Sequence, residues 1–461
     1  MAMAFVTVVA LCLVVQLAQS QEAAITTVEH FPEDADLQKS IDEFQAWFTK
    51  NYNGKAKVRL GPAGDGMRLG VFATEKLPAE SLYLSIPLKM VIGRETIFPT
   101  PKIGPVLQDL QGEIKGNVPW HQTTLALFLI YEKFIAQDKS FWKEYIALIP
   151  TEHDSPAFFT EEQLNLLKGT YIKEKAIHIR DQHRREYNWI RANILAKHKD
   201  VMPEHTFNFD HYMWAMGILS TRMIWWDNMP HLVPMLDMIN CRQGPNPHRV
   251  HSTARGRSGL TADTLAPWTF QEGDQVFENY GQPNPTYFLY HGFVMIPNIH
   301  DCATLMLSKH IPGKAMSYID KFRLQRQEWC VAPEKLNELL TIGRIAVMSD
   351  RERSALKQPP LKPLKSPRLE MKALRWCGDI LKDQLAGYPE YDPMWRVGIE
   401  SAGFREKMAV TFRETQRELF QKSLEGLRTQ RQKILTKVKK AANPNLVKLK
   451  KQDASGKEGD L

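Results

Sequence analysis

The most constraining stretch of this chain opens with an apolar run that ends in two polar residues. Leu232-Val233-Pro234-Met235-Leu236-Asp237-Met238-Ile239-Asn240-Cys241 carries Asp237 and Asn240 into an otherwise apolar place. A buried polar group needs a partner, so this pair is either satisfied internally or reserved for a ligand. Forty residues on, Glu272-Gly273-Asp274 reads as a turn and Gln275 to Tyr280 as a strand. That strand ends in Tyr280-Gly281, where glycine permits a sharp bend. A short loop then leads through Asn284-Pro285-Thr286 to His291-Gly292-Phe293.

The ordered set Asp-x-x-Asn, Tyr-Gly, Asn and Gly-Phe resembles the C-terminal half of a SET domain. It is most similar to the subfamily of the Rubisco large-subunit lysine methyltransferase and the actin-histidine methyltransferase. Two positions depart from that pattern: Cys241 stands where the family has His, and His291 where it usually has Tyr. Upstream, Arg68-Leu69-Gly70-Val71-Phe72-Ala73-Thr74 and Leu82 to Pro87 read as short strands after a glycine-rich turn. They resemble the N-terminal half of the same domain. Trp142-x-x-Tyr145, Leu148-x-Pro150, Ser155-Pro156 and Leu166-Leu167-x-Gly169-Thr170 resemble the helical region inserted between the halves.

Helical periodicity supports that order. Ile41, Phe44, Trp47 and Phe48 mark an amphipathic helix over Leu37 to Phe48, and Leu125 to Ile135 reads as a buried helix. Thr160-x-x-Gln163 is a capping box. Beyond Lys309 the pattern stays helical, in Leu336 to Met348, Leu369 to Leu385 and Arg405 to Leu435, broken by the proline-rich stretch 359–367. The resemblance spans roughly residues 56 to 430. It implies an α+β fold in which a SET β-fold (56–95 and 206–312) is split by a helical insertion (96–205). An all-α domain similar to a substrate-binding domain (313–430) follows, then a basic disordered tail (431–461).

Hydrophobic residues make up 43% of the chain and charged residues 24%, enough for a sizeable core. The net charge of +8 is concentrated near the C-terminus, so it does not by itself point to nucleic acid. Residues 1–20 combine an apolar run with Ala18-Gln19-Ser20, the pattern of a signal peptide, followed by a polar leader and a helix over 21–55. The expectation is therefore the secretory pathway or secretion, with no stable membrane span. Removal of that segment leaves Cys241, Cys302, Cys330 and Cys377, for which three disulfide connectivities are possible. His248-Arg249-Val250-His251 lacks a further ligand at metal spacing, so no metal is expected.

The resemblance implies S-adenosylmethionine (AdoMet) as cofactor and a protein as substrate. Met67, Arg68 and Leu69 would line the cofactor, and Asn240 would hold its methionine end. Arg222 would meet its carboxylate, and Cys241 would offer its backbone to the adenine. Asp237, His291, Gly292 and Phe293 complete the cofactor-binding set. Tyr280 is the catalytic candidate, placed beside the sulfonium. The implied reaction is methylation of lysine, or less readily histidine. The alternative is a secreted SET-like binding or matrix protein without catalysis. The substrate protein and the oligomeric state stay open.

Overall fold

A computed structural model describes residues 37–52, 54–64, 66–113, 118–248, 253–324, 326 and 328–442. The signal peptide, the polar leader to residue 36, most of His248 to His251 and residues 443–461 lie outside them. The chain divides into two compact units. Unit 1 holds residues up to His153, Gln182–Gly281 and Glu400–Phe404. Unit 2 holds Asp154–Asp181, Gln282–Ile399 and the residues from Arg405 on. The second unit therefore draws 154–181 out of the stretch expected as one insertion.

Unit 1 contains the β-structure expected for the split domain. Its strands are β1 (Val58–Pro62), β2 (Leu69–Ala73), β3 (Leu82–Pro87), β4 (Ile224–Trp226), β5 (Met229–His231), β6 (Asn240–Cys241), β7 (Thr253–Arg255), β8 (Thr261–Leu265) and β9 (Gln275–Glu278). The order β1-β2-β9-β6 makes a four-stranded sheet, and β3-β8-β7 makes a second of three. Strand β6 runs parallel to β9, with Asn240 opposite Phe277 and Cys241 opposite Glu278. The turn before β9 is as read: Gly273 has φ +85°, the left-handed region that glycine adopts without strain. The strand itself stops at Glu278, two residues short of the expected end.

Helices close this core from outside. Leu37–Asn51 buries Ile41, Phe44, Trp47 and Phe48, the residues its period selects. Its Gln45 accepts a hydrogen bond from the Leu60 N–H at 3.0 Å, satisfying the outer edge of β1. Trp120–Tyr131 is buried continuously from Thr123, and Phe209–Arg222 is capped by Asn208, which accepts from the His211 N–H. Among the described residues, no helix is long and apolar enough to cross a membrane.

Unit 2 is mainly helical, with Leu336–Val347, Pro367–Ala386 and Phe404–Ala442 as its long helices. It corrects the sequence reading in two places. The region 313–430 is not wholly α: β11 (Trp329–Val331) pairs antiparallel with β10 (Ala303–Leu305). Three residues are too few to show a period, yet Trp329 and Val331 alternate inward as a strand requires. The helix that begins at Phe404 also continues to Ala442, so residues 431–442 are helical rather than disordered. A run from Arg428 to Ala442 without Gly or Pro favours continuation. Cys302 and Cys330 are disulfide-bonded beside this strand pair while Cys241 and Cys377 are thiols, so none of the three two-bridge connectivities is formed.

Asn284 is a fully buried hub of unit 2. Its amide donates to the Met295 carbonyl at 3.0 Å and to Asp301 Oδ2 at 2.7 Å, and its Oδ1 accepts from the Met295 N–H at 2.9 Å. Asp301 also accepts from the backbone N–H groups of Asn284 and Cys302. Burial nevertheless dominates and raises the Asp301 pKa from 3.8 to about 6. A raised carboxyl pKa stabilises the fold most at low pH, because the folded state keeps a proton the unfolded chain releases. That contribution is full below pH ~4 and is lost as pH rises through about 6, a change of about 3 kcal/mol. Asp301→Asn should therefore flatten the pH dependence of unit 2 stability between pH ~4 and ~6, read by denaturant unfolding at each pH. An unchanged slope would assign the titration to another group.

Candidate functional site

The short segment from Asp237 to Asn240 collects hydrogen bonds from sequence-distant parts of unit 1. The Asn240 amide donates to the Leu69 carbonyl at 2.6 Å, joining β6 to the start of β2. The Tyr280 hydroxyl donates to the Ile239 carbonyl at 3.0 Å. Arg222, at the end of its helix, donates from Nη1 to the Asp237 carbonyl at 2.9 Å. Leu69, Arg222, Asp237, Asn240 and Tyr280 are thus brought together, as their motifs require.

Asp237 turns its side chain into the interior. Its side chain is fully buried, and Oδ2 accepts from the Tyr145 hydroxyl. Arg222 Nη1 lies 4.0 Å from the same oxygen. Burial raises the Asp237 pKa from 3.8 to about 6, against the lowering effects of Arg222 and Tyr145. Asp237 so anchors the segment from inside. Two atoms of this cluster, Arg222 Nε and Asp237 Oδ1, are buried without a hydrogen-bond partner among the described residues. An unmatched donor and an unmatched acceptor, both buried, are the kind of demand that a polar ligand or ordered water meets.

The remaining candidates are placed as follows. Arg68 donates from Nη1 to the Leu148 carbonyl at 2.9 Å. Met67 follows Gly66, which has φ +76°, and its sulfur accepts from the Gln275 amide at 3.9 Å. Cys241 sits half-buried in β6, paired through its backbone with Glu278. His291, Gly292 and Phe293 belong to unit 2. There Phe293 stacks on Tyr287 at 4.9 Å, and Gly292 has φ +79° with a virtual Cβ 2.7 Å from the Asp154 backbone. Any side chain at 292 would be both strained and obstructed.

Sequence reasoning missed two contributors. Tyr145 was visible only as part of a family pattern, with nothing to link it to Asp237. Glu278 is a buried carboxyl held near the neutral form, its pKa raised well above the usual range by burial, with the Tyr83 hydroxyl 3.4 Å away. An acid in a strand ordinarily reads as a solvent-facing residue, so its burial carried no signal. Among the described residues, no group of three or more His, Cys, Asp or Glu could hold a metal ion.

The fold is that of a SET domain. The chain aligns with the SET domain of LSMT bound to lysine and AdoHcy at a TM-score of 0.69, with 20% identity, over 86% of this chain and 93% of that one. Rubisco LSMT bound to AdoMet gives 0.68 and 21% identity over the same shares. In sequence, the chain is similar to the chloroplastic fructose-bisphosphate aldolase-lysine N-methyltransferase of Arabidopsis thaliana, 28% identical over 269 residues. That match covers 56% of this chain and 53% of the relative. The actin-histidine N-methyltransferase of Mus musculus is 28% identical over 294 residues, covering 59% and 46%. The chloroplastic Rubisco large-subunit N-methyltransferase of Nicotiana tabacum is 26% identical over 285 residues, covering 59% and 55%. The chain spans about half the length of these curated relatives. No protein-family model matches it.

Proposed function

We propose that this protein is an AdoMet-dependent protein methyltransferase acting on a lysine side chain, with histidine as the second possibility. The observation that carries the reading is the convergence of Leu69, Asn240 and Tyr280 on one hydrogen-bonded segment. Relatives named for lysine and for histidine methylation support both targets. The comparisons lend no support to the non-catalytic alternative.

The donor set suits AdoMet. A guanidinium with an unmatched Nε, Arg222, can take a carboxylate. Asn240 has its amide nitrogen on Leu69, which leaves its carbonyl oxygen to accept from an ammonium. The backbone of Met67 and Arg68, in the turn before β2, and of Leu69 and Cys241, in strands β2 and β6, is assigned to line the cofactor. When bound, AdoMet supplies an electrophilic methyl on a sulfonium. The protein's part is placement of a neutral nucleophile opposite that methyl, and oxygen dipoles around it. Tyr280 is assigned to that surround.

The test is calorimetric titration of the purified chain with AdoMet. Binding is expected, and Asn240→Ala should weaken it by about 1.5–3 kcal/mol, the loss of a hydrogen bond to a charged group. Absence of binding to the folded wild type would overturn the reading. Unchanged affinity in the variant would remove Asn240 from the site. We further assign the chain to an oxidising compartment, because a mature disulfide such as Cys302–Cys330 persists there.

A further inference from the structure

Charge is unevenly distributed along this chain. From Arg428 to Lys451 there are nine cations and no acid, against a net charge of +8 for all 461 residues. The rest of the protein is therefore close to neutral. The described part of that stretch is the end of the helix Phe404–Ala442. Arg428, Arg431, Lys433, Lys437 and Lys439 are all exposed there. None of these five side chains is paired with an acid among the described residues.

The same segment carries an apolar stripe. Leu427, Ile434, Val438 and Ala441 share one face at helical spacing. Leu427 is buried in the core of unit 2 and Ile434 packs partly against it, but Val438 is 43% exposed and Ala441 is exposed. The stripe thus outlasts the core that covers its beginning. Arg428 and Lys439 flank it on one side, and Lys433 and Lys437 flank it on the other. Arg431 stands beside the stripe, where its methylene stem can lie on apolar surface while the guanidinium reaches outward.

We propose that this end of the helix, from Arg428 onward, docks the protein on an anionic lipid surface. Cations over an exposed apolar stripe match a bilayer interface, whose headgroups take the charge and whose acyl boundary takes the apolar face. A nucleic acid would use the charges and leave Val438 without a role. A second copy of the same helix would bring like charges together. The helix lies on the membrane and does not cross it.

The full-length protein is mixed with phosphatidylcholine vesicles with and without phosphatidylserine, and binding is read by co-sedimentation. It should bind only the vesicles containing phosphatidylserine and be released by high salt. The triple charge reversal K433E/K437E/K439E should reduce binding more than about tenfold, with helicity checked by circular dichroism. Val438→Ser should reduce binding to vesicles and leave retention on immobilised heparin unchanged. Equal binding to neutral vesicles, or no binding to either kind, overturns the proposal. So does Val438→Ser binding as well as wild type, which would identify a plain polyanion site, or concentration-dependent self-association abolished by the charge reversal.

Discussion

Replacing Glu370 by alanine should destabilise unit 2 by about 3–5 kcal/mol, because it strands a buried arginine. Arg344 is 1% exposed and Glu370 is 2% exposed. Their contact is bidentate, with Nε to Oε2 at 2.9 Å and Nη2 to Oε1 at 2.7 Å. Arg344 Nη1 also donates to the carbonyls of Pro360 and Leu361, and Glu370 accepts from the Leu364 N–H at 2.9 Å. The pair so holds the proline-rich stretch between the helices Leu336–Val347 and Pro367–Ala386. Proline lacks an N–H, and this stretch forms no ladder of its own, so its backbone depends on these two side chains. The double change Arg344→Met with Glu370→Leu should cost less than either single loss, since no charge is then left buried. Denaturant unfolding of the three variants checks this. A single-variant loss below about 1 kcal/mol would show that water reaches the pair in solution.

That pair also shows what sequence can and cannot carry. The helix containing Arg344 was legible from its period, because Leu336, Leu339, Leu340 and Ile345 mark a buried face. Nothing in that period says that Arg344 is buried too, and a charge in a helix normally reads as solvent-facing. Pairing is a property of two positions, and one chain without its fold gives no means of joining 344 to 370. Tyr145 with Asp237 and Cys302 with Cys330 fail for the same reason. The motif cluster was more legible than the packing. Asn240 and Tyr280 stand in motifs whose spacing is set by strand and turn geometry, so their order along the chain survives without knowledge of contacts. Asp237 lay in the same motif, yet whether its carboxylate faces ligand or core depends on Tyr145, ninety-two positions away. The final helix was read only as far as Leu435, short of Ala442, because a cationic run suggests disorder while its lack of Gly and Pro suggests continuation.

Tyr280→Phe should lower methyl transfer by about 10²–10³-fold and leave AdoMet affinity close to wild type. The expectation rests on the proposed methyltransferase reading. A phenol oxygen aimed at the reacting centre acts on charge that is redistributed during the transfer, so its removal appears in kcat more than in binding. The structure supplies a reason to measure both. The Tyr280 hydroxyl donates to the Ile239 carbonyl, one residue before Asn240. Its loss leaves that carbonyl without the bond and frees the segment that Asn240 ties to Leu69. A mainly structural hydroxyl would therefore weaken AdoMet binding in the same proportion as the rate, as Asn240→Ala is expected to do. A rate loss without an affinity loss assigns Tyr280 to the chemical step. The measurements are radiolabelled methyl transfer to protein extracts and calorimetry on the same preparation. Activity equal to wild type would remove Tyr280 from the reaction, and parallel losses would make it a positioning residue for Ile239 and Asn240.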